Sequence, residues 1–511
     1  MAWNEGYVTD VNYTHGYYPE LNPVRARYLL LQAGFAVPTF GTACELGFGQ
    51  GMSIVMHGAA QPKTEWWGTD FNPAHAAFAQ ELSGDPARAA RLPDQSFEQF
   101  CRRSDLPDFD FIGLHGIWTW VSHENHGIIV DFIRRKLKVG GILYISYNTY
   151  PGWADLAPLR HLLKRHVEVM GARGSDLFGR IGAGLDFLDR VVETDPFYVK
   201  AAPRAVERLK QLREHNRNYI AHEYLTHDWH TMYFAELAKW LEPAKLSFAS
   251  SAGPLDQVES LNFNPKQREL LASVHDPEFR ESLRDFLLNQ QFRRDYWIKG
   301  PRSLSAGEKL RQQRRQRVVL GLHRPSVSLK VRGGLGEAEM QPGIYNPILD
   351  FLADHQVRTV GEIEAAVAPA GVNIAQVLSA VNVLVGTGAV HPAETEERSR
   401  QARESARTLN RTITEQAAHA SEVQYLASPV TGGGLMVGRF EQMFLQALRA
   451  GKKTPADWAA AVWSEFAALG QRVLKDGKTL ETAEENVAEL TRQAESFAAE
   501  RLPVLRALEV I

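Results

Sequence analysis

The sequence predicts an α/β protein, built on a parallel sheet with helices on both faces and followed by a mainly helical C-terminal region. Three observations predict it. Short apolar runs of strand length recur through the first 150 residues. Helical stretches of about 10–15 residues separate them, and strands joined in that way pair in parallel. The first run ends in "CELGFGQGMS", residues 44–53, where an acid is followed by three glycines at every second position.

The elements follow in order. Residues 40–46 read as the first strand, and 50–60 as the helix leaving the glycine loop. "TEWWGTDFNP" is the second strand, closed by Asp70 and a turn. A helix begins near Asn72, with Pro73 at its first-turn position. A short third strand is expected just before Ser96. "FDFIGLHG", residues 109–116, is the fourth. Residues 126–138 have helical spacing through Ile129, Phe132, Ile133 and Leu137, and "VGGILYISYN" is a turn leading into the fifth strand.

The stretch 152–231 is mostly helical in pattern and reads as a cap inserted over the sheet. "YFAELAKWLEPAKLSFASSA" gives a helix, a proline break and an apolar run over 246–252. "QFRRDYWIKG", residues 291–300, hairpins back and closes a core spanning 1–300. Residues 301–325, with the charged run "GEKLRQQRRQR" and His323-Arg324-Pro325, read as a linker. Over 326–395, "YNPILDFLAD", "TVGEIEAAVA" and "NIAQVLSAVNVLVGTGAVHP" give three short helices and a glycine turn, an order that resembles a winged helix. Residues 396–511 read as a helical domain, with Phe440, Met443, Phe444, Ala447 and Leu448 on one stripe.

Composition bounds the functional classes. At 511 residues the chain has room for two or three domains. Apolar residues make up 44% and charged residues 23%, as in proteins with buried cores, and the net charge of −3 selects no partner by charge alone. No basic start leads into an apolar run, and no run approaches 18 apolar residues, so neither a leader nor a membrane span is expected. Two cysteines, Cys44 and Cys101, make no disulfide framework or Cys-rich zinc site and suit a reducing cytoplasm.

Ligands of such sheets bind at the carboxyl ends of the strands, where "CELGFGQGMS" lies. The dinucleotide fingerprint G-x-G-x-x-G needs a glycine at 52, where this chain has methionine. The pattern E-x-G-x-G-x-G, with Asp70 closing the next strand 19 residues past Gly51, resembles motif I of the class I S-adenosylmethionine-dependent methyltransferases. "FDFIGLHGIWTWVS" looks like the fourth motif of that family. "YYPELNPVRARYLLLQAG", "HGIWTWVS", "YNTYPGW" and "HEYLTHDWHTMYF" together resemble bacterial methyltransferases carrying a methyltransferase regulatory domain, a group that includes the rickettsial protein lysine methyltransferases. "YLASPVTGGGLMV" and "ERLPVLRALEVI" extend the likeness over nearly the whole chain. The resemblance implies a Rossmann-like core of seven strands, S-adenosylmethionine as donor with S-adenosylhomocysteine as product, no metal, and a protein or peptide acceptor methylated at lysine.

It also implies a site. Glu45, Gly47, Phe48, Gly49, Gly51, Asp70 and Phe71 would hold the donor, Asp70 accepting from the ribose hydroxyls, and Gln95, Ser96 and Phe97 fall where the adenine ring is held. His115, ending the fourth strand, is a candidate both for donor contact and as proton acceptor. Tyr147 and Asn148, ending the fifth strand, and Tyr17 are further catalytic candidates. Tyr13, Tyr18, Trp118, Trp120, Tyr150, Trp153, Glu223 and Tyr224 are candidates for an aromatic substrate pocket and its cap. A dry aromatic pocket suits lysine, because it lowers the amine pKa by desolvation and its ring faces attract the methylated cation.

Other signals point to ordinary structure. "HEYLTH" spaces His222 and His227 by five, so they do not share a helix face as zinc ligands do in H-E-x-x-H. The basic run over 311–317 reads as a solvated helix face, so nucleic acid is not expected as a partner. "YNTYPGW" departs from the N-P-P-Y-like motif of amide and nucleobase methylation, and neither cysteine stands where cytosine C5 chemistry needs one. A small-molecule or peptide methyltransferase, and a cofactor-sensing protein without turnover, remain alternatives, and a homodimer is compatible with everything above. If the C-terminal region only selects substrate, deleting 326–511 leaves donor binding measurable.

Overall fold

The computed structural model describes residues 14–84, 90–171 and 174–511. Six strands form the main sheet among the described residues: β1 Thr42–Leu46, β2 Glu65–Thr69, β3 Phe109–Leu114, β4 Leu137–Asn148, β5 Leu246–Ser251 and β6 Phe292–Lys299. Their order is β2-β1-β3-β4-β6-β5. The first four run parallel, while β6 pairs antiparallel with both β4 and β5. The expected third strand, the short one before Ser96, is reduced to a single parallel bridge between Trp67 and Arg91, so six strands are described where seven were expected. Pro93, two residues on, has no N–H to donate, which stops the ladder there.

Side-chain alternation along the strands builds two cores. Ala43, Phe111, Ile142 and Tyr144 face one side, and Cys44, Ile112, Leu143 and Ile145 the other. The first side is covered by α1 Pro23–Ala33 and α2 Met52–Ala60, with α3 Pro73–Ser83 beside them. The second is covered by α4 Phe97–Cys101, α5 His123–Lys136 and the helix Phe234–Leu241. The helices start where side-chain oxygens can take up free backbone N–H groups: Asn22 accepts from Val24, Asn72 from Ala74 and Ser122 from Asn125.

Between β4 and the helix Phe234–Leu241 the described residues make five helices, from Ala157–Val169 to Arg217–Leu225. They close on their own core around Trp153, Leu163, Leu185 and Ile220. A bridge between Thr149 and Met232 ties the base of this cap together.

The stretch 301–325, read as a linker, is structured. It holds the helix Ala306–Arg315 and the strand Arg317–Leu320, which is the middle strand of a small antiparallel sheet with Arg358–Thr359 and Val390–Pro392. Three helices, Pro342–Phe351, Val360–Val367 and Ile374–Gly386, accompany that sheet. The segment read as winged-helix-like over 326–395 thus takes its central strand from outside those bounds.

The C-terminal region is not an appendage. Its helix Glu396–Gln416 packs on α2, with Ser405 Oγ donating to the Ala59 carbonyl at 2.6 Å. Asn22 Nδ2 donates to the Thr431 carbonyl at 3.0 Å, and Gln61 Nε2 to that of Gly432 at 2.6 Å. One apolar cluster runs from Ile54 and Val55 of α2 through Leu426 and Leu435 to Phe444 and Val504. Deleting 326–511 would expose the apolar face of α2 that this cluster covers. Among the described residues no single helix is long and apolar enough to cross a membrane.

Candidate functional site

The site begins where β1 ends. Gly47, Gly49 and Gly51 have φ of 72°, 56° and 72°, in the left-handed region that glycine enters without penalty. Space demands glycine as well: a Cβ on Gly47 would stand 2.3 Å from Ile117 Cδ1, and one on Gly51 2.5 Å from Ala79 Cβ. Asp70, just past β2, accepts from the Gly49 backbone N–H at 2.8 Å through Oδ2, and from the Asn72 N–H at 3.0 Å through Oδ1. His75 Nδ1 lies 3.2 Å from the same Oδ1.

These groups wall one cavity at the carboxyl ends of β1, β2 and β3. Glu45, Gly47, Phe48, Gly49, Asp70 and Phe71 line it, with Gln95, Ser96 and Phe97 on one side and His115 and Trp120 on another. Gly51 shapes the loop from behind as the residue that caps α2. Glu45 is 3% exposed, and its Oε2 has no hydrogen-bond partner. Burial first, and the neighbouring Asp70 carboxylate second, push its pKa up to about 8. His75 Nε2 is likewise buried and unpartnered. Open glycine backbone, a carboxylate and unpaired buried polar atoms around one hollow suit a polar ligand rich in hydrogen-bonding groups.

His115 stacks face to face on Tyr18, with ring centroids 3.6 Å apart, and its Nδ1 lies 2.8 Å from Tyr144 Oη. Burial holds its pKa down to about 4, against the opposing pull of Glu20. An imidazole that resists protonation is a poor acceptor for an ammonium proton, so the geometry gives His115 a wall role rather than that of a base.

Several expected residues stand elsewhere. Tyr17 faces away from this cavity, its hydroxyl 3.1 Å from His57 Nε2. Tyr147 is fully buried and donates to Asp295 Oδ2 at 3.0 Å, inside a cluster in which Arg293 meets Asp295, Asp285 and Glu281. Asn148 is 4% exposed, and its backbone N–H donates to Thr119 Oγ1. Trp118 is buried against His126 and donates to Met232 Sδ at 3.2 Å. Trp153 and Tyr224 belong to the core of the cap, and the Glu223 carbonyl accepts from Arg160, so the cap candidates do not reach the cavity. Tyr150 packs beside Tyr233. Tyr13 lies outside the described residues.

The cavity also holds residues the sequence reading missed. Asn125, in the first turn of α5, and Asp228, in the strap after the cap helices, line it beside Trp120. Asp228 lies within "HEYLTHDWHTMYF", a stretch that carries the family resemblance without marking this residue.

The family model described as a predicted methyltransferase regulatory domain matches residues 216–299. An uncharacterized protein of Synechocystis is 38% identical over 515 residues, spanning 100% of both chains. The solved structure of PKMT2 from Rickettsia typhi in complex with AdoHcy superposes with a TM-score of 0.68, at 17% identity, covering 94% of this chain and 97% of that one. The chain belongs to one family with the Synechocystis protein, carries a methyltransferase regulatory domain over residues 216–299, and has the fold of the class I methyltransferases. An uncharacterized protein of Rickettsia prowazekii is also similar, 26% identical over 294 residues, covering 56% of this chain and 51% of its own. The matched regulatory segment supplies β5 and β6, two of the six strands described in the main sheet, so it is built into the sheet itself.

Proposed function

We propose that this methyltransferase transfers the methyl group of S-adenosylmethionine to lysine side chains of a protein substrate. The observation that carries the reading is the lining of the cavity: Tyr18, stacked on His115, and Trp120 supply aromatic faces, and Asp228 adds a carboxylate. Such a wall attracts an ammonium group and then strips it of water.

When bound, S-adenosylmethionine supplies an electrophilic methyl on its sulfonium. Asp70 would accept from the ribose hydroxyls, the glycine loop would let backbone approach the donor, and Ser96 and Phe97 would flank the base. The protein's own task is positioning, which can supply roughly 7–11 kcal/mol of a barrier. A free lysine has a pKa near 10.4, so about one amine in a few thousand is neutral at pH 7. Asp228 draws the ammonium in, the dry aromatic faces beyond it favour the neutral amine, and the proton leaves to solvent.

The test is transfer of a radiolabelled methyl from the donor to a proteome extract, followed by acid hydrolysis of labelled bands. Methyl-lysine supports the proposal. Label confined to small molecules, label on other residues, or no label at all contradicts it.

A further inference from the structure

A second cavity, of about 750 Å3, lies where the N-terminal segment, the small three-stranded sheet and the C-terminal region meet. Its volume falls in the range of roughly 300–1,000 Å3 typical of small-ligand sites. Two guanidinium groups face it. Arg501 is satisfied, 3.1 Å from Glu441 Oε1 and donating to the Met436 carbonyl at 2.8 Å. Arg25 is not: among the described residues it has no ion-pair partner, and its Nε is buried without a hydrogen bond. Glu20, an acid that feels Arg25, is itself held by Arg294 at 2.6 Å.

The cavity carries further marks of an anion site. Thr431 is 5% exposed, and its Oγ1 has no partner. Burial, and then the charges of Arg25 and Arg501, hold the pKa of His391 in the same wall down to about 4, so the imidazole is neutral and the two guanidiniums act across the space. With Arg501 neutralised by Glu441, one positive charge is left over. The rest of the wall is largely apolar, through Tyr425, Leu435 and Leu505.

We propose that this cavity binds a small organic carboxylate, its head group on Arg25 and Thr431 and its apolar body along Tyr425, Leu435 and Leu505. A monoanion matches one unpaired guanidinium. A phosphate monoester, with a charge of about −1.5 to −2 at pH 7, would be overcharged for it. The site is separate from the donor cavity, yet adjoins it along the chain: Tyr17 lines the one and Tyr18 the other.

The experiment is calorimetric titration of the full chain at pH 7 with octanoate, with 1-octanol as the neutral match and with inorganic phosphate as the bare anion. Octanoate is expected to bind at least tenfold more tightly than either, and Arg25→Met to weaken octanoate at least tenfold while leaving octanol unchanged. Thr431→Val, which keeps side-chain shape, should weaken octanoate about threefold and serves if Arg25→Met does not fold. Thermal melting and titration with S-adenosylhomocysteine establish folding independently. The proposal is overturned if octanoate does not bind at millimolar concentration, if octanol or phosphate binds as tightly, or if a folded Arg25→Met or Thr431→Val protein binds octanoate as the wild type does.

Discussion

The carboxylate of Asp70 accepts a hydrogen bond from the backbone N–H of Gly49 at 2.8 Å, tying the end of β2 to the glycine loop after β1. One acid therefore fixes the shape of the loop and presents its charge to the donor cavity. Asp70→Ala should lower the affinity for S-adenosylhomocysteine roughly 10–150-fold, as expected for loss of charged hydrogen bonds of about 1.5–3 kcal/mol. Asp70→Asn, which can still accept from Gly49, should lose less. Titration calorimetry on both variants checks the order.

Glu45 gives the unliganded protein a defined pH response. Its folded-state pKa is raised to about 8 by burial and by Asp70, while unfolded glutamate titrates near 4.3. Between those values the folded state holds a proton that the unfolded state has released, so this group's contribution to stability falls as pH rises through the window. Glu45→Gln removes the decline. Its melting temperature relative to wild type should rise steadily from pH 5 to pH 8.5, and a constant difference would contradict the assignment.

The glycine loop can be tested by a pair of changes. Gly47→Ala meets Ile117 Cδ1 at 2.3 Å and also bears a left-handed backbone that costs a side chain about 1–2 kcal/mol. Donor affinity should fall at least tenfold. Adding Ile117→Ala removes the collision but not the backbone term, so the double variant should recover part of the affinity, as read from binding curves for the two single variants and the double.

The His115 imidazole, held to about 4, is neutral across the physiological range. The pH–rate profile should therefore show no limb near 6.5 that disappears in His115→Gln. That variant should keep its S-adenosylhomocysteine affinity within about threefold and lose roughly 10–100-fold in kcat, because the aromatic wall no longer positions the acceptor.

Tyr147 and Trp120 separate structural from substrate-facing aromatics. Tyr147→Phe deletes the hydrogen bond to Asp295 and should cost about 1 kcal/mol in denaturant unfolding, with kcat and KM for the acceptor within about twofold of wild type. Trp120→Ala should raise the acceptor KM several-fold without a comparable loss of donor affinity. The reverse pattern would return Tyr147 to the site.

The two results for Tyr147 and Tyr18 show what sequence alone could resolve. The order of strands, the glycine loop and Asp70 follow from local signals: apolar period, glycine spacing and an acid at a strand end. Which face a residue at a strand end takes does not. Along β4, Tyr144 and Ser146 point to the side that meets His115 and Gly116, so alternation turns Tyr147 to the opposite side, toward Asp295. Tyr17 and Tyr18 are divided between two cavities in the same way. The third strand had the right place in the sequence but Pro93 inside it. The bonds from Asn22 to Thr431 and from Gln61 to Gly432, which weld the C-terminal region to the core, join residues hundreds of positions apart that share no local pattern. Asp228 was legible as a residue type, but nothing in its local sequence marks it as a carboxylate lining the donor cavity.

A crystal structure of the full chain soaked with S-adenosylhomocysteine tests the central claim most directly. The account places the ribose hydroxyls on Asp70, the base beside Ser96 and Phe97, and the sulfur toward the end walled by Tyr18, His115 and Trp120. Density for the ligand in any other cavity, or a ribose that leaves Asp70 uncontacted, would contradict it.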